Sequence, residues 1–272
     1  MTFDPRLTLA RRDLATQSLE GLIRADRFEP ARLMRLAIPF APVRAAPSVE
    51  AEQVDQLLFG EIFEVMTFED GFAWGQAARD GYVGWVEAAG LSSRPLEATH
   101  RVTALRTFSH VAPSIKAATR GPFSLNALVA AGETEGALTR VEGAGWMPTA
   151  HLTPIGSAFE DPADVAERFV GAPYLWGGRD SVGIDCSGLV QQALYAAGRA
   201  CPRDTDLQAA LGVSVSADDL RRGDLAFWRG HVGMMLDATR LLHANAHHMA
   251  VAVELLTVAV ARVGPPTAYR RP

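Results

Sequence analysis

Cys186 is the residue of this sequence whose type and setting best suit it to act as a nucleophile. It stands in the run Asp185 to Val190, and apolar residues then recur at the spacing of one helical face. These residues are Leu189, Val190, Ala193, Leu194 and Ala197. Asp185 is of a type that caps the start of a helix, and Gly198 of a type that ends one. The thiol is therefore predicted to lie at a helix N-terminus, where unpaired N–H groups favour its thiolate form.

Two histidines downstream are placed to accept the proton of that thiol. His231 opens the segment HVGMML, and His243 lies in LLHAN on the next predicted strand. Neighbouring strands can bring two imidazoles side by side. A free thiol is only a few per cent ionised at neutral pH, so it needs a base to take its proton and a polar group to orient that base. One cysteine and two histidines supply all three roles.

Two further histidines, His247 and His248, lie just downstream and are the alternatives to His243 as the orienting residue. His243 and His247 are four residues apart, a spacing that also occurs in metal sites. Zinc requires three or four converging ligands, and neither an HExxH pattern nor a matching set of cysteines and carboxylates accompanies them. We therefore predict no metal and no cofactor.

The composition is that of an ordinary globular protein. Hydrophobic residues make up 48% and charged residues 21% of the 272 residues, which is enough chain for two or three small domains. A net charge of -5 without a basic tract gives no reason to expect nucleic acid as a partner. No apolar run approaches the roughly 18 to 20 residues of a membrane span. Residues 1–35 lack a signal-peptide core, and there are only two cysteines, Cys186 and Cys201, so we expect a cytoplasmic protein with free thiols.

The pattern of apolar and turn residues divides the chain into four predicted parts. Residues 1–37 show loosely helical leucine spacing and are predicted to be a helical lead-in. Residues 38–94 hold short alternating segments between glycine and aspartate turns, the pattern of a small β-barrel, and residues 95–154 repeat it more weakly as a second, diverged barrel. In residues 155–272 predicted helices precede predicted strands, which favours a compact α+β domain.

Three motifs stand in order in that last part. They are PYLWGG at 173–178 with DCSGLV at 185–190, RGDLAFW at 222–228 before HVG at 231–233, and LLHA at 241–244. This set resembles the NlpC-type cell-wall cysteine peptidases, which have a papain-like fold. By position, the resemblance implies that Cys186 is the nucleophile, His231 the general base and His243 the third polar residue, which orients the base. The backbone N–H of Cys186, at a helix start, would then be an oxyanion donor.

The first predicted barrel has a Gly-Glu turn before a strand, a central tryptophan and the segment DGYVGWV at 80–86, and it resembles a bacterial SH3-type domain. Two SH3-like barrels before a peptidase domain resemble the γ-D-glutamyl-L-diamino acid endopeptidases of murein peptide recycling. The resemblance implies hydrolysis of the bond between γ-D-Glu and meso-diaminopimelate in L-Ala-γ-D-Glu-diaminopimelate peptides. It also implies that the first barrel overlies the active site and recognises an unblocked N-terminal L-Ala.

The same resemblance implies the residues that contact substrate. Tyr82 would line the pocket for L-Ala, and Glu52 would bind its ammonium group, with Glu50 and Asp55 as close alternatives. The remaining implied contacts are Tyr174, Asp185 and Ser187.

Asp185 has a physical reason to face a cation on the substrate. A carboxylate beside a catalytic thiol raises the pKa of that thiol and weakens it, so its presence makes more sense if a substrate ammonium meets it. Two carboxylates around an α-ammonium form charge-assisted hydrogen bonds, and they would stay unpaired if the amine were acylated. We therefore expect peptides that are still joined to glycan through this amine to be rejected.

Two other functions remain open at this point. SH3-type barrels can bind cell-wall peptides without chemistry, so the chain is alternatively a non-catalytic binding module. An acyltransferase or amidase could use the same Cys–His pair. The sequence leaves open which diamino acid is tolerated and the oligomeric state.

Overall fold

A computed structural model describes residues 3–94 and 96–272 of the chain. It contains two compact units, one that ends at Ile155 and one that spans Gly156–Pro272, which we call the amino-terminal and the carboxy-terminal unit. None of the helices in these described ranges has the length and apolarity that a membrane crossing requires.

The amino-terminal unit is built from strands. They are β1 (Ala15–Thr16), β2 (Phe28–Glu29), β3 (Arg32–Leu36), β4 (Phe40–Arg44), β5 (Gln53–Leu58), β6 (Ile62–Glu69), β7 (Phe72–Ala77), β8 (Val83–Glu87), β9 (Leu91–Ser92), β10 (His100–Val102), β11 (Arg106–His110), β12 (Thr119–Ser124), β13 (Leu128–Val129), β14 (Ala131–Glu135), β15 (Leu138–Val141), β16 (Gly145–Pro148) and β17 (Leu152–Pro154). Short 3₁₀ turns occur at Gln17–Leu19, Ala88–Gly90 and Thr149–His151.

Seven of these strands form one antiparallel sheet in the order β5-β4-β8-β7-β6-β3-β9. In β6, Phe63 and Val65 are buried while Glu64 between them is not, as the period of two in a strand requires. Asp70 and Gly71 both have positive φ, 49° and 84°, and make a two-residue turn from β6 to β7. Such turns match the twist of a hairpin, so alternation and turn chemistry together specify this sheet.

The predicted helical lead-in at residues 1–37 is wrong for the part of it that is described, residues 3–37. This stretch forms β1, β2, β3 and a 3₁₀ turn, and β3 pairs with β6 and β9 inside the seven-stranded sheet. Leu9 and Leu14 are buried against Trp74 rather than along one face of a helix. Leucines at a loose helical spacing also suit short strands and loops when a sheet offers them apolar surface.

The second half of the amino-terminal unit contains a three-stranded sheet, β13-β10-β17, and a five-stranded sheet, β12-β11-β16-β15-β14. Phe59, between β5 and β6, belongs to the core of this half, and its ring meets that of Phe123 edge-on with 5.2 Å between centroids. The predicted barrels at 38–94 and 95–154 thus share one compact unit. No strand pairing among the described residues closes a sheet into a barrel, and the division into two barrels stays a prediction.

Gly60 lies where the two halves of this unit meet. Its φ is +80°, and a Cβ added there would lie 2.0 Å from the carbonyl oxygen of Leu128. The N–H of Leu128 donates to the carbonyl oxygen of Phe59 over 2.8 Å. Only glycine fits this position, because both the left-handed backbone and the close approach exclude a side chain.

The carboxy-terminal unit combines helices with one six-stranded sheet, in the helix-then-strand order that the sequence predicts. Its elements are α1 (Pro162–Glu167), α2 (Cys186–Ala196), α3 (Thr205–Gln208), β18 (Val213–Ser214), a 3₁₀ turn at Ala217–Asp219, β19 (Leu225–Trp228), β20 (His231–Met235), β21 (Arg240–Asn245), β22 (Ala250–Leu255), α4 (Leu256–Val263) and β23 (Ala268–Arg271). The strand order is β18-β23-β19-β20-β21-β22 with antiparallel neighbours. Helix α2 packs on β20 and β21.

Helix α2 is enclosed on all sides, which differs from the single apolar face that the sequence predicts. All of its residues are buried, Gln191 and Gln192 included. The side-chain amide of Gln191 donates to the hydroxyl of Tyr195 over 3.0 Å and to the carbonyl oxygen of Cys201 over 3.3 Å. A helix at the centre of a unit can bury polar side chains that are hydrogen-bonded, and hydrophobic periodicity does not reveal this.

Replacing Gly60 by alanine should destabilise the protein more than the same change at Gly71. Both positions have positive φ, which costs an alanine about 1 to 2 kcal/mol, but an added Cβ at Gly71 meets nothing within 4 Å. We expect chemical denaturation to give a free energy of unfolding that is lower by about 2 to 5 kcal/mol for Gly60→Ala and by about 1 to 2 kcal/mol for Gly71→Ala. Equal losses would contradict the close approach at Gly60.

Candidate active site

Cys186 is the first residue of α2, and Asp185 is its N-cap, as the sequence predicts. One carboxylate oxygen of Asp185 accepts a hydrogen bond from the N–H of Gly188 over 2.7 Å. The cysteine is 5% exposed, and the backbone N–H groups of Val232 and Ser187 act on its sulfur to lower the pKa of the thiol, though less than burial raises it. Because Val232 follows His231, the sulfur lies against the start of β20.

Three neighbouring strands carry a row of hydrogen-bonded side chains beside that cysteine. Its members are His231, His243 and Glu254, and we call it the histidine row. Nε2 of His231 is 2.8 Å from Nδ1 of His243, and Nε2 of His243 is 2.8 Å from Oε1 of Glu254. Ala252 lies opposite His243 in the β21–β22 register, so Glu254 is the diagonal neighbour of His243 on the same face of the sheet. Gly233 leaves room for the row, since a Cβ there would lie 3.1 Å from the Cβ of His243.

The alternative histidines are placed differently. Nδ1 of His248 is 2.9 Å from the side-chain oxygen of Asn245, and the ring centroid of His248 is 6.5 Å from that of His243. His247 meets the ring of His248 edge-on. Of the three predicted candidates, His243 is the one whose hydrogen bond to His231 is observed.

The thiol and the imidazole of this site are both uncharged at neutral pH. Burial raises the pKa of the Cys186 thiol to about 12, and the charge of Asp185 adds to the rise. Burial lowers the pKa of His231 to about 4. The predicted thiolate is therefore wrong for the resting site, because the N–H groups of Ser187 and Val232 do not make up for the water that the buried sulfur loses.

The carboxylate of Asp185 is neutralised from within the chain. Arg203, 1% exposed, donates to its two oxygens over 3.1 and 2.5 Å, and the N–H of Gly177 donates to one of them over 2.8 Å. Arg203 also donates to the hydroxyl of Ser187 over 2.6 Å, and Ser187 donates to Asp185 over 3.2 Å. The expectation that Asp185 needs a substrate cation is thus corrected, since a buried guanidinium already supplies the positive charge.

Tyr174 lies close enough to Cys186 for the charge of the cysteine to affect the pKa of its hydroxyl. It is half-buried, and its pKa is raised by burial and then by the charges of Cys186 and Asp185. Four residues on, a Cβ on Gly178 would lie 2.4 Å from the carbonyl oxygen of Gly183. The second glycine of the PYLWGG motif therefore lets one backbone approach another closely.

Tyr82 and Glu52 belong to the amino-terminal unit. Tyr82 is buried, comes just before β8, and donates its N–H to Oδ1 of Asp80 over 3.1 Å. Glu52 and its alternative Glu50 are exposed, whereas Asp55 is fully buried in β5. This burial argues against Asp55 as an ammonium ligand, and the role of the other residues in substrate binding stays a prediction.

Among the described residues, His243, His248 and Glu254 form a group that could hold a metal ion, with ligand atoms within 4.8 Å of one another. Two of these residues are already joined by the hydrogen bond described above. Nη1 of Arg262 also donates to Oε2 of Glu254 over 3.0 Å, and its Nη2 contacts Oε1. A cation would have to displace a guanidinium and break the row, so we assign these atoms to hydrogen bonding.

Sequence reasoning missed three charged residues of this site, Arg203, Glu254 and Arg262. Glu254 had a detectable signal, because a single acidic residue interrupts the apolar strand AVAVEL at 250–255 that follows the strand of His243. The two arginines lie outside the elements of the carboxylates they bind, with Arg203 18 residues after Asp185 and Arg262 8 residues after Glu254, and no local pattern marks them.

Two families of domains match this chain. Residues 171–260 match the NlpC/P60 family, and residues 43–91 match the bacterial dipeptidyl-peptidase SH3 domain. Over 106 residues the chain is 36% identical to the gamma-D-glutamyl-L-lysine dipeptidyl-peptidase of Bacillus subtilis. The matched segment covers 36% of this chain and 36% of that protein. Over 87 residues it is 34% identical to dipeptidyl-peptidase 6 of Lysinibacillus sphaericus, 32% of each. The chain thus spans about a third of the length of these curated relatives.

A solved structure shares the fold. The crystal structure of an NlpC/P60 family protein from Bacillus cereus matches with a TM-score of 0.77, over 88% of this chain and 99% of that chain, at 19% identity. Together these matches confirm the resemblance found in the sequence: the chain carries an NlpC/P60 domain together with a bacterial dipeptidyl-peptidase SH3 domain.

Proposed function

We propose that this chain is a cysteine peptidase that hydrolyses the bond between γ-D-glutamate and a diamino acid in short murein peptides. The observation that carries the proposal is the hydrogen bond between His231 and His243 beside a cysteine at a helix start. A thiol, an imidazole and a second group that orients this imidazole are the parts needed for acyl transfer through a thioester. The printed name of the Bacillus subtilis relative, gamma-D-glutamyl-L-lysine dipeptidyl-peptidase, supports the class of substrate.

In the proposed reaction His231 accepts the thiol proton while the sulfur of Cys186 bonds to the γ-carbonyl carbon of D-glutamate. The carbonyl electrons move to its oxygen, and the backbone N–H of Cys186 stabilises this oxyanion. The imidazolium then gives its proton to the amine of the diamino acid, which leaves, and a thioester remains. Water, with His231 as its base, hydrolyses the thioester, releases L-Ala-D-Glu and restores the thiol.

We assign recognition of the free L-Ala ammonium to the amino-terminal unit, with Glu52 as the counter-ion and Tyr82 as a pocket residue. Asp185 and Ser187 shape the pocket beside the nucleophile, and Tyr174 contacts the substrate there. Asp185 does not serve as a second counter-ion in this proposal, because its charge is met inside the chain.

The setting that we propose is murein peptide recycling in the cytoplasm. Cys186 and Cys201 are both free thiols, which suits a reducing compartment. A need for an unblocked N-terminal L-Ala would confine the enzyme to peptides already released from glycan. We propose meso-diaminopimelate as the diamino acid at the cleaved bond.

Replacing Cys186 by alanine should lower the rate of hydrolysis by roughly 10⁴-fold or more, because no other group can form the thioester. The measurement is release of L-Ala-D-Glu from synthetic L-Ala-γ-D-Glu-meso-diaminopimelate. Cys201→Ala is the matched control, and we expect it to keep the wild-type rate. Turnover by a folded Cys186→Ala protein would disprove the mechanism.

Acetylation of the substrate amine should lower kcat/KM by roughly tenfold to a hundredfold, the cost of leaving a carboxylate without its ammonium. In Glu52→Gln the free and acetylated peptides should be cleaved at more similar rates. Glu50→Gln, an exposed neighbour, is the control that keeps the wild-type preference. If Glu50→Gln erases the preference and Glu52→Gln does not, the counter-ion is Glu50.

The acid limb of kcat/KM should lie well below pH 6.5, the ordinary pKa of histidine. Burial lowers the pKa of His231 to about 4, so the imidazole stays neutral and able to accept a proton until the pH falls toward that value. The measurement is kcat/KM from pH 3 to 8, with circular dichroism at each pH to confirm that the protein is folded. A limb at or above pH 6.5 would show that His231 is not held neutral by burial.

A further inference from the structure

Glu254 lies at the end of the histidine row and has no part in the mechanism given above. Its side chain is 9% exposed, and its carboxylate binds His243 on one side and Arg262 on the other. Arg262 stands in the last turn of α4, the helix that begins directly after β22. The turn from strand to helix therefore brings a guanidinium back onto a carboxylate eight residues earlier.

We propose that Glu254, held in place by Arg262, is a positioning residue that determines which ring nitrogens of His243 and His231 carry protons. The inference rests on the proposed peptidase function, and it adds a fourth and a fifth residue to the three that the sequence indicates.

The direction of each proton follows from the hydrogen bonds. The bonds from Arg262 lower the pKa of Glu254 to about 2, so at neutral pH its carboxylate is ionised and can only accept. Nε2 of His243 must then carry the proton, and its Nδ1 must accept from Nε2 of His231. The remaining nitrogen of His231, Nδ1, is left without a proton. That is the atom able to take the proton of the Cys186 thiol.

Glu254 and Arg262 have opposite effects on the pKa of His231 and of His243. Besides burial, which has the largest effect, the groups that lower the pKa of His231 are His243 and Arg262, and those that raise it are Asp185 and Glu254. For His243, burial has the largest effect and lowers the pKa; Glu254 raises it, and Arg262 and His248 lower it. The carboxylate thus favours the imidazolium that forms when the thiol proton arrives, while the guanidinium holds the carboxylate and opposes that charge.

The first test is nitrogen NMR of the substrate-free wild-type protein with ¹⁵N-labelled histidine, with signals assigned through His231→Asn and His243→Asn. We expect both rings to carry their proton on Nε2. A proton on Nδ1 of His243 would overturn the proposal, and this result does not depend on any assay of peptide cleavage.

The second test compares Glu254→Gln with Arg262→Gln. In Glu254→Gln we expect mixed protonation of His243, a lower pKa of His231 by NMR titration, and a kcat that falls roughly tenfold to a hundredfold with little change in KM. In Arg262→Gln the pKa of His231 should rise. Glu167→Gln, which breaks another Glu–Arg pair of the same unit, is the control and should leave both quantities unchanged.

The outcomes separate the two proposals. Shifts of the His231 pKa in the same direction in Glu254→Gln and Arg262→Gln, or an unchanged kcat in Glu254→Gln, would overturn the positioning role. The predicted proton pattern in a protein that cleaves no γ-D-glutamyl peptide would instead refute the proposed function and leave the positioning of the histidines established.

Discussion

The site depends on hydrogen bonds that run across three antiparallel strands from His231 to Glu254. Imidazoles buried from water lose free energy unless their ring nitrogens find partners, and here each partner is supplied by the next strand of the sheet. The register of β20, β21 and β22 therefore positions the chemistry, and a slip by one residue would turn His243 to the opposite face. Gly233 belongs to the same constraint, because any side chain there would press on His243.

A second constraint comes from placing a carboxylate beside a thiol. Asp185 is needed as the cap that begins α2, and yet its charge works against ionisation of Cys186. Arg203 reduces this conflict, because it donates hydrogen bonds to both oxygens of Asp185. Its positive charge also lowers the pKa of the thiol, whereas burial and the charge of Asp185 raise it. Buried ion pairs persist when their hydrogen bonds are complete, and the bonds from Gly177 and Gly188 add to those from the guanidinium.

What the sequence could predict follows from how local each feature is. The cap at Asp185, the helix that starts at Cys186 and the strand that starts at His231 depend on neighbouring residues, and all three are found. The partners Arg203 and Arg262 depend on how separate elements pack, for which a single sequence holds no local pattern. Glu254 shows in the sequence only as one acidic residue in an apolar strand, and its partners depend on strand register. The two wrong predictions, a helical lead-in and a helix with one apolar face, have the same origin. A sheet buries Leu14, and neighbouring elements bury α2 on all sides. Both are tertiary effects that override the spacing of apolar residues in the sequence.

A buried neutral thiol near a buried neutral imidazole limits how the proposed reaction can begin. Transfer of the proton in the empty site would create two charges where there were none, and burial opposes both. The negative charge becomes tolerable once the sulfur bonds to a carbonyl carbon, because it then passes to an oxygen at the start of α2, where N–H groups can meet it. The positive charge on His231 stays in the row that ends at Glu254. Charge separation is thereby coupled to bond formation, and the thiol is kept from reacting before substrate is in place.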